Sequence, residues 1–141
     1  MAHLVARDIM SRSLKTVRRT MTVGEAFTMM EREHVRHLLI TELSSSMLLG
    51  IVSDRDIKRV LSPFLGSRIE APKDRATAGL ALEKIMKRNL ITAAPGDSIK
   101  SLVEAMLKHS INAIPIIEPD LRVLGIVSST DLLKELLTLL P

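Results

Sequence analysis

Gly50-Ile51-Val52-Ser53-Asp54-Arg55-Asp56 and Gly125-Ile126-Val127-Ser128-Ser129-Thr130-Asp131 share one pattern, an apolar run closed by serine with an aspartate three residues later. They stand 75 residues apart. Working outward, Leu61 lies over Leu136 at the same offset, while upstream of a one-residue deletion the offset becomes 76. There Ile9-Met10, Leu14, Thr16, Ile40 and Glu42 fall on Ile85-Met86, Leu90, Thr92, Ile116 and Glu118. Ordered matches over the whole of a 141-residue chain mark an internal repeat.

Each copy carries the same local signals. After a short extended segment at Thr16 or Thr92, apolar residues at i, i+3, i+4 and i+7 (Val23-Ala26-Phe27-Met30 and Ile99-Leu102-Val103-Met106) predict an amphipathic helix. Thr22 and Ser98 stand near the helix starts. Two β-rich runs follow, His37 to Thr41 with Leu48 to Val52, and Ala113 to Ile117 with Val123 to Val127. Ser44-Ser45-Ser46 and Pro119-Asp120 supply the turns between them. A second helix opens at Ser53 or Ser128. The expected unit is β-α-β-β-α, and the fold class is α/β in the α+β sense. The first repeat is read over 1–64, a linker with a short helical piece over 65–77, and the second repeat over 78–141. Each sheet would expose an apolar face, and packing one sheet on the other about a pseudo-twofold axis would cover both.

Composition removes several functions. The absence of cysteine excludes disulfides, thiolate nucleophiles and cysteine-held zinc or iron-sulfur clusters. Apolar runs such as Leu48 to Val52 are far below the ~18 residues needed to span a bilayer. The start shows no basic leader before an apolar stretch, so the chain is read as soluble and cytoplasmic, with no membrane partner. With only Phe27 and Phe64 as aromatics, stacking on nucleic-acid bases has almost no platform. The net charge of +4 is uneven: residues 1–62 carry +3, 63–82 carry +1 and 83–141 carry none. That excess favours an anionic partner without choosing one.

The repeated Ser-x-x-Asp has two physical uses. At a helix start the serine and aspartate cap free amides and complement the dipole, which explains both residues fully. The same groups also suit a nucleotide. Free amides and hydroxyls of Ser53, Ser128 and Thr130 can meet phosphate, Asp56 or Asp131 can accept from vicinal ribose hydroxyls, and Arg36 and Arg55 can pair with phosphate. Occurrence twice, each time behind Gly-Ile-Val-Ser, weakens the capping-only explanation.

With Glu33-His34-Val35-Arg36-His37-Leu38-Leu39-Ile40 and Ser110-Ile111-Asn112-Ala113-Ile114-Pro115-Ile116-Ile117 leading into these motifs, the chain resembles a tandem pair of cystathionine-β-synthase (CBS) domains, a Bateman module. The resemblance covers nearly the whole chain and implies a regulatory module that binds an adenosine-containing ligand. It implies mixed clefts, the first combining Ser128, Thr130 and Asp131 with Thr16, Val35 and Arg36. The second would combine Ser53, Arg55 and Asp56 with Thr92, Ile111 and Asn112. Two departures favour the first cleft: Leu39 stands where the second copy has Pro115, and Asp54 adds an anion where Ser129 is neutral. AMP is the first-choice ligand, with ADP or ATP next and no other cofactor. A homodimer and a separate regulated protein partner complete the expectation, with the leucines of Leu132 to Leu140 as the dimer seam.

Other functions find less support. His34 and His37 are the closest histidine pair, but one ends a helix and the other begins a strand, so no metal site is expected. No nucleophile elbow, phosphate loop or dinucleotide fingerprint is present, and no enzyme is expected. The eight methionines, among them Met10, Met29, Met30, Met86 and Met106, are read as core filling. The competing readings are an S-adenosylmethionine sensor, and a scaffold or nucleic-acid-associated protein using Lys15, Arg18, Arg19, Lys58 and Arg59.

Overall fold

The computed structural model describes residues 3–42 and 45–141. Its elements, in order, are α1 (Ala6–Ile9), β1 (Thr16–Arg18), α2 (Val23–Glu33), β2 (His37–Thr41), β3 (Leu48–Ser53), α3 (Asp54–Val60), α4 (Pro72–Ala78), a 3-10 turn (Leu82–Lys84), α5 (Ile99–His109), β4 (Ala113–Ile117), β5 (Val123–Ser128) and α6 (Ser129–Leu139). Mixed α and β elements in two similar units match the expected class.

The chain forms two compact units whose composition differs from the sequence repeats. One unit comprises residues 15–90, and the other joins 1–14 to 91–141. The segment before each repeat therefore belongs to the unit built on the other repeat. In the unit of residues 15–90, the Leu82 amide donates to the Met21 carbonyl (2.8 Å), the Glu83 amide to Arg19 (3.0 Å), and Lys87 and Ile51 exchange two backbone bonds (3.0 and 3.1 Å). In its counterpart the Ala6 amide donates to Asp97 (2.8 Å), the Arg7 amide to Pro95 (2.9 Å), and Ser11 and Ile126 exchange two (2.9 and 3.1 Å). Every bond in one set maps onto the other at the repeat offset.

This arrangement explains the glycine in Gly-Ile-Val-Ser. A Cβ on Gly50 would come within 2.6 Å of Met86 Sδ and 3.0 Å of the Lys87 carbonyl. A Cβ on Gly125 would meet Met10 Sδ at 2.6 Å and the Ser11 carbonyl at 2.9 Å. Repeated Ile-Met and repeated glycine are thus two halves of one contact.

Within residues 15–90, β1 pairs parallel to β2 in the register Val17 with Ile40, and β2 pairs antiparallel to β3. Helix α2 is capped by Thr22, whose hydroxyl accepts from the Glu25 amide at 3.2 Å, and stops at His34 in the left-handed region (φ 54°). The core gathers Val17, Val23, Ala26, Met30, Leu38, Ile40, Val52, Ile57, Leu82 and Met86. Helix α4 supplies the helical piece expected of the linker and packs on α2, where a Cβ on Gly24 would stand 3.1 Å from the Ala78 Cβ. It is tied back through buried Asp74, which accepts from the Ser62 hydroxyl (2.6 Å) and the Ala71 amide (2.7 Å).

The second unit repeats the hairpin, β4 antiparallel to β5, and the capped helix, with the Ser101 amide bonded to Ser98 Oγ (3.1 Å) and Ser110 left-handed (φ 53°). Its first strand departs from expectation. Instead of a strand at Thr92, a single parallel bridge joins Ala93 to Ile116, the register of Val17 with Ile40. Leu39 donates its amide to the Lys15 carbonyl (3.1 Å), but the equivalent Pro115 has no N–H, and Pro95 cuts the segment short. The turn Pro119-Asp120 lies as expected between β4 and β5; in the matching turn, Ser44 falls outside the described residues.

Candidate functional site

Both Ser-x-x-Asp motifs form reciprocal capping boxes. Strands β3 and β5 end on Ser53 and Ser128, and the chain turns there into α3 and α6. In the first copy the Asp56 amide donates to Ser53 Oγ (3.1 Å) while the Ser53 amide donates to Asp56 Oδ2 (2.9 Å). In the second, the Asp131 amide donates to Ser128 Oγ (3.2 Å), and both the amide (2.8 Å) and the hydroxyl (3.0 Å) of Ser128 donate to Asp131 Oδ2. Capping is therefore a real role of these residues. It uses one carboxylate oxygen, Oδ2, and leaves Oδ1 outside the capping bonds.

The strand-entry residues come to the same helix starts. The Asp54 amide donates to the Arg36 carbonyl (2.9 Å), and the Ser129 amide donates to the Asn112 carbonyl (2.9 Å). Each unit thus holds one Asp-bearing helix start beside its own Val35-Arg36 or Ile111-Asn112. Thr16 and Arg36, and likewise Thr92, Asn112 and Thr130, are exposed; Val35, Ile111 and both aspartates are half-buried; Arg55 is exposed on α3. The clefts expected from the resemblance draw on residues of both units.

One contact at this site escaped the sequence reading. Lys87 Nζ stands 3.8 Å from Asp56 Oδ1, carried there by the backbone exchange of Lys87 with Ile51. The repeat offset places Ser11 at the matching position beside Ile126. An alignment of the copies shows the Lys/Ser difference, but it gives no sign that either residue approaches an aspartate of the opposite repeat.

A different surface distinguishes the unit of 1–14 and 91–141. Between α5 and α6 runs a groove of about 560 Å³, lined chiefly by leucine, isoleucine and valine with Met106, Ser129 and Glu135 at its edges. Leu107, Leu133 and Leu139 are 77%, 63% and 71% exposed. The methionine reading holds for Met30 and Met106 on the inner faces of α2 and α5 and for Met86 beyond the 3-10 turn, all three buried. His34 closes α2 and His37 opens β2, as the sequence suggested. No described helix is long and apolar enough to cross a membrane.

Comparison with known proteins agrees with this architecture. The family profile for the CBS domain matches residues 6–63 and 82–138. A homoserine O-acetyltransferase of Methanohalobium evestigatum is 30% identical over 132 residues, covering 94% of this chain and 24% of that protein. An uncharacterised protein of Methanocaldococcus jannaschii is 31% identical over 135 residues, covering 92% of this chain and 44% of that protein. The chain thus spans less than half the length of these relatives. Among solved structures, a CBS domain pair in complex with 5′-methylthioadenosine and S-adenosyl-L-methionine superposes with a TM-score of 0.83 at 25% identity, covering 99% of this chain and all of the other.

Proposed function

The chain belongs to the CBS domain family, and we propose that it is a regulatory module that senses an adenosine-containing ligand, AMP in the first instance. One observation carries the reading: twin helix starts present an aspartate whose Oδ2 is spent on the cap and whose Oδ1 takes no part in it. A carboxylate so held is a fixed acceptor for ribose hydroxyls, and helix-start amides with Thr130 or Arg55 would receive phosphate. The similar CBS domain pair that holds 5′-methylthioadenosine and S-adenosylmethionine supports the adenosine part of the reading and brings both compounds into the ligand panel beside AMP, ADP and ATP.

In this proposal Asp131, Ser128 and Thr130 act with Thr16, Val35 and Arg36, and Asp56, Ser53 and Arg55 act with Thr92, Ile111 and Asn112. The role is regulatory and not catalytic. A signal requires that the ligand prefer one of two states, since equal affinity for both shifts nothing. The leucine face of α5 and α6 is the proposed homodimer seam, and a regulated protein would read the change.

Calorimetric titration with the five ligands tests the site. Saturable binding of one of them, lost in Asp131→Ala or Asp56→Ala, is the expected result. Unchanged affinity in both variants would leave the aspartates as caps alone.

A second reading draws on charge. The unit of residues 15–90 holds 14 Lys and Arg against 9 Asp and Glu, whereas the other holds 6 against 7. An anionic polymer bound to the basic unit would dissociate steeply with salt and would ignore both aspartate substitutions.

A further inference from the structure

We infer that Lys87 makes the two aspartate sites unequal, weakening Asp56 as a ribose acceptor relative to Asp131; the inference rests on the adenosine reading above. Both caps use Oδ2, with the Ser128 hydroxyl adding a third bond at Asp131, so in each copy Oδ1 lies outside the cap. At Asp56 that oxygen has an ammonium 3.8 Å away, and the side chain is only 12% exposed, so an arriving hydroxyl meets an acceptor already facing a cation. At Asp131 no ion pair forms among the described residues. The matching position there is Ser11, shorter and uncharged, held by the equivalent backbone exchange with Ile126. Lys87 is therefore a specificity-determining residue: it acts on the ligand through the oxygen it occupies.

The neighbourhood of the two helix starts differs as well. Asp54 gives the first helix start a second anion, while Ser129 gives the other none. Lys87 is itself 61% exposed, and its structural bonds are backbone bonds, so its side chain can be replaced without loss of the fold.

The test uses the whole chain, with adenosine and 2′,3′-dideoxyadenosine followed by NMR titration. Both lack phosphate, so the ratio of their affinities reports the hydroxyl contact alone. In an Asp131→Ala background, Lys87→Ser is expected to raise the preference for adenosine about two- to fivefold, the worth of an exposed ion pair. Lys87→Arg should leave it at the parental value. In an Asp56→Ala background, Lys87→Ser should change nothing. An unaltered preference on Lys87→Ser in the Asp131→Ala background overturns the inference while the adenosine reading stands. If neither nucleoside perturbs the wild-type spectrum at saturation, the adenosine reading fails and takes this inference with it.

Discussion

The two units follow one plan and bury different amounts of it. Where residues 15–90 place Leu82, Val17 and Ile57 in the core, the matching positions of the other unit are Ala6, Ala93 and the half-buried Leu132. Where the first carries Glu31 and Lys58 on its outer helix faces, the second carries exposed Leu107 and Leu133. The basic unit also has α4 laid across α2, whereas α5 and α6 leave an open apolar groove between them. A duplicated unit thus keeps its hydrogen-bond frame and cap chemistry while its copies diverge in what they leave uncovered. One copy is covered by its own chain; the other leaves an apolar face exposed.

The largest expected effect probes this difference in the cores. Ile57→Ala removes a fully buried side chain and should cost about 2–5 kcal/mol. Leu132→Ala, half-buried at the matching position, should cost clearly less; chemical denaturation of both variants measures the gap. Equal losses would mean that the second core is as closed as the first.

The glycine contacts should behave alike in both units. Gly50→Ala and Gly125→Ala each force a Cβ onto a methionine and a backbone carbonyl, and overpacking of this kind costs about 1–3 kcal/mol. Shortening the methionine in the same molecule, as in Gly125→Ala with Met10→Ala, should relieve the sulfur clash but leave the carbonyl contact. A double-mutant cycle checks this.

A smaller effect concerns pH. The Ser62 hydroxyl, followed by the Ala71 amide, holds the Asp74 carboxyl below its ordinary value. A lowered folded value means that this stabilisation is fully present above the ordinary carboxylate range and is lost as pH falls through the folded value. Melting curves between pH 3 and 6 should show wild type losing stability more steeply than Asp74→Asn at the acid end. Parallel curves would remove Asp74 as a tie for α4.

The least effect on the fold itself comes from giving the second unit the first unit's surface. Leu107→Glu with Leu133→Lys copies Glu31 and Lys58 onto exposed positions, so monomer stability should move by no more than ~0.5 kcal/mol per site. If the leucine face is the homodimer seam, sedimentation equilibrium will show the double variant as a monomer where wild type is a dimer.

Much of this was legible in the sequence because its signals are local. Apolar spacing gave α2 and α5, the β-rich runs gave four strands to within a residue at their ends, and Thr22, Ser98, Ser53 and Ser128 all cap as serine and threonine do. The missing strand at Thr92 was less visible, because its cause sits at Pro115, across the sheet and 23 residues away. The contacts of Met10 with Gly125 and Lys87 with Asp56 were hidden for a related reason. A repeat offset shows that two segments are equivalent, but it does not say which copy each one packs against. The site residues were chosen by chemistry; the cap was legible in the Ser-x-x-Asp spacing, and the structure adds that it consumes a single oxygen, Oδ2, of each aspartate.

The crossed membership of the leading segments also imposes an order in time. Residues 15–90 contain every part of their own unit, so that unit can close while later residues are still being made. Met10 is synthesised 115 residues before its seat at Gly125, an interval of about 6–23 s at ordinary elongation rates. Until then the segment from Ala6 to Ser11 travels without its strand partner, and the unit with the exposed leucines is sealed after its counterpart.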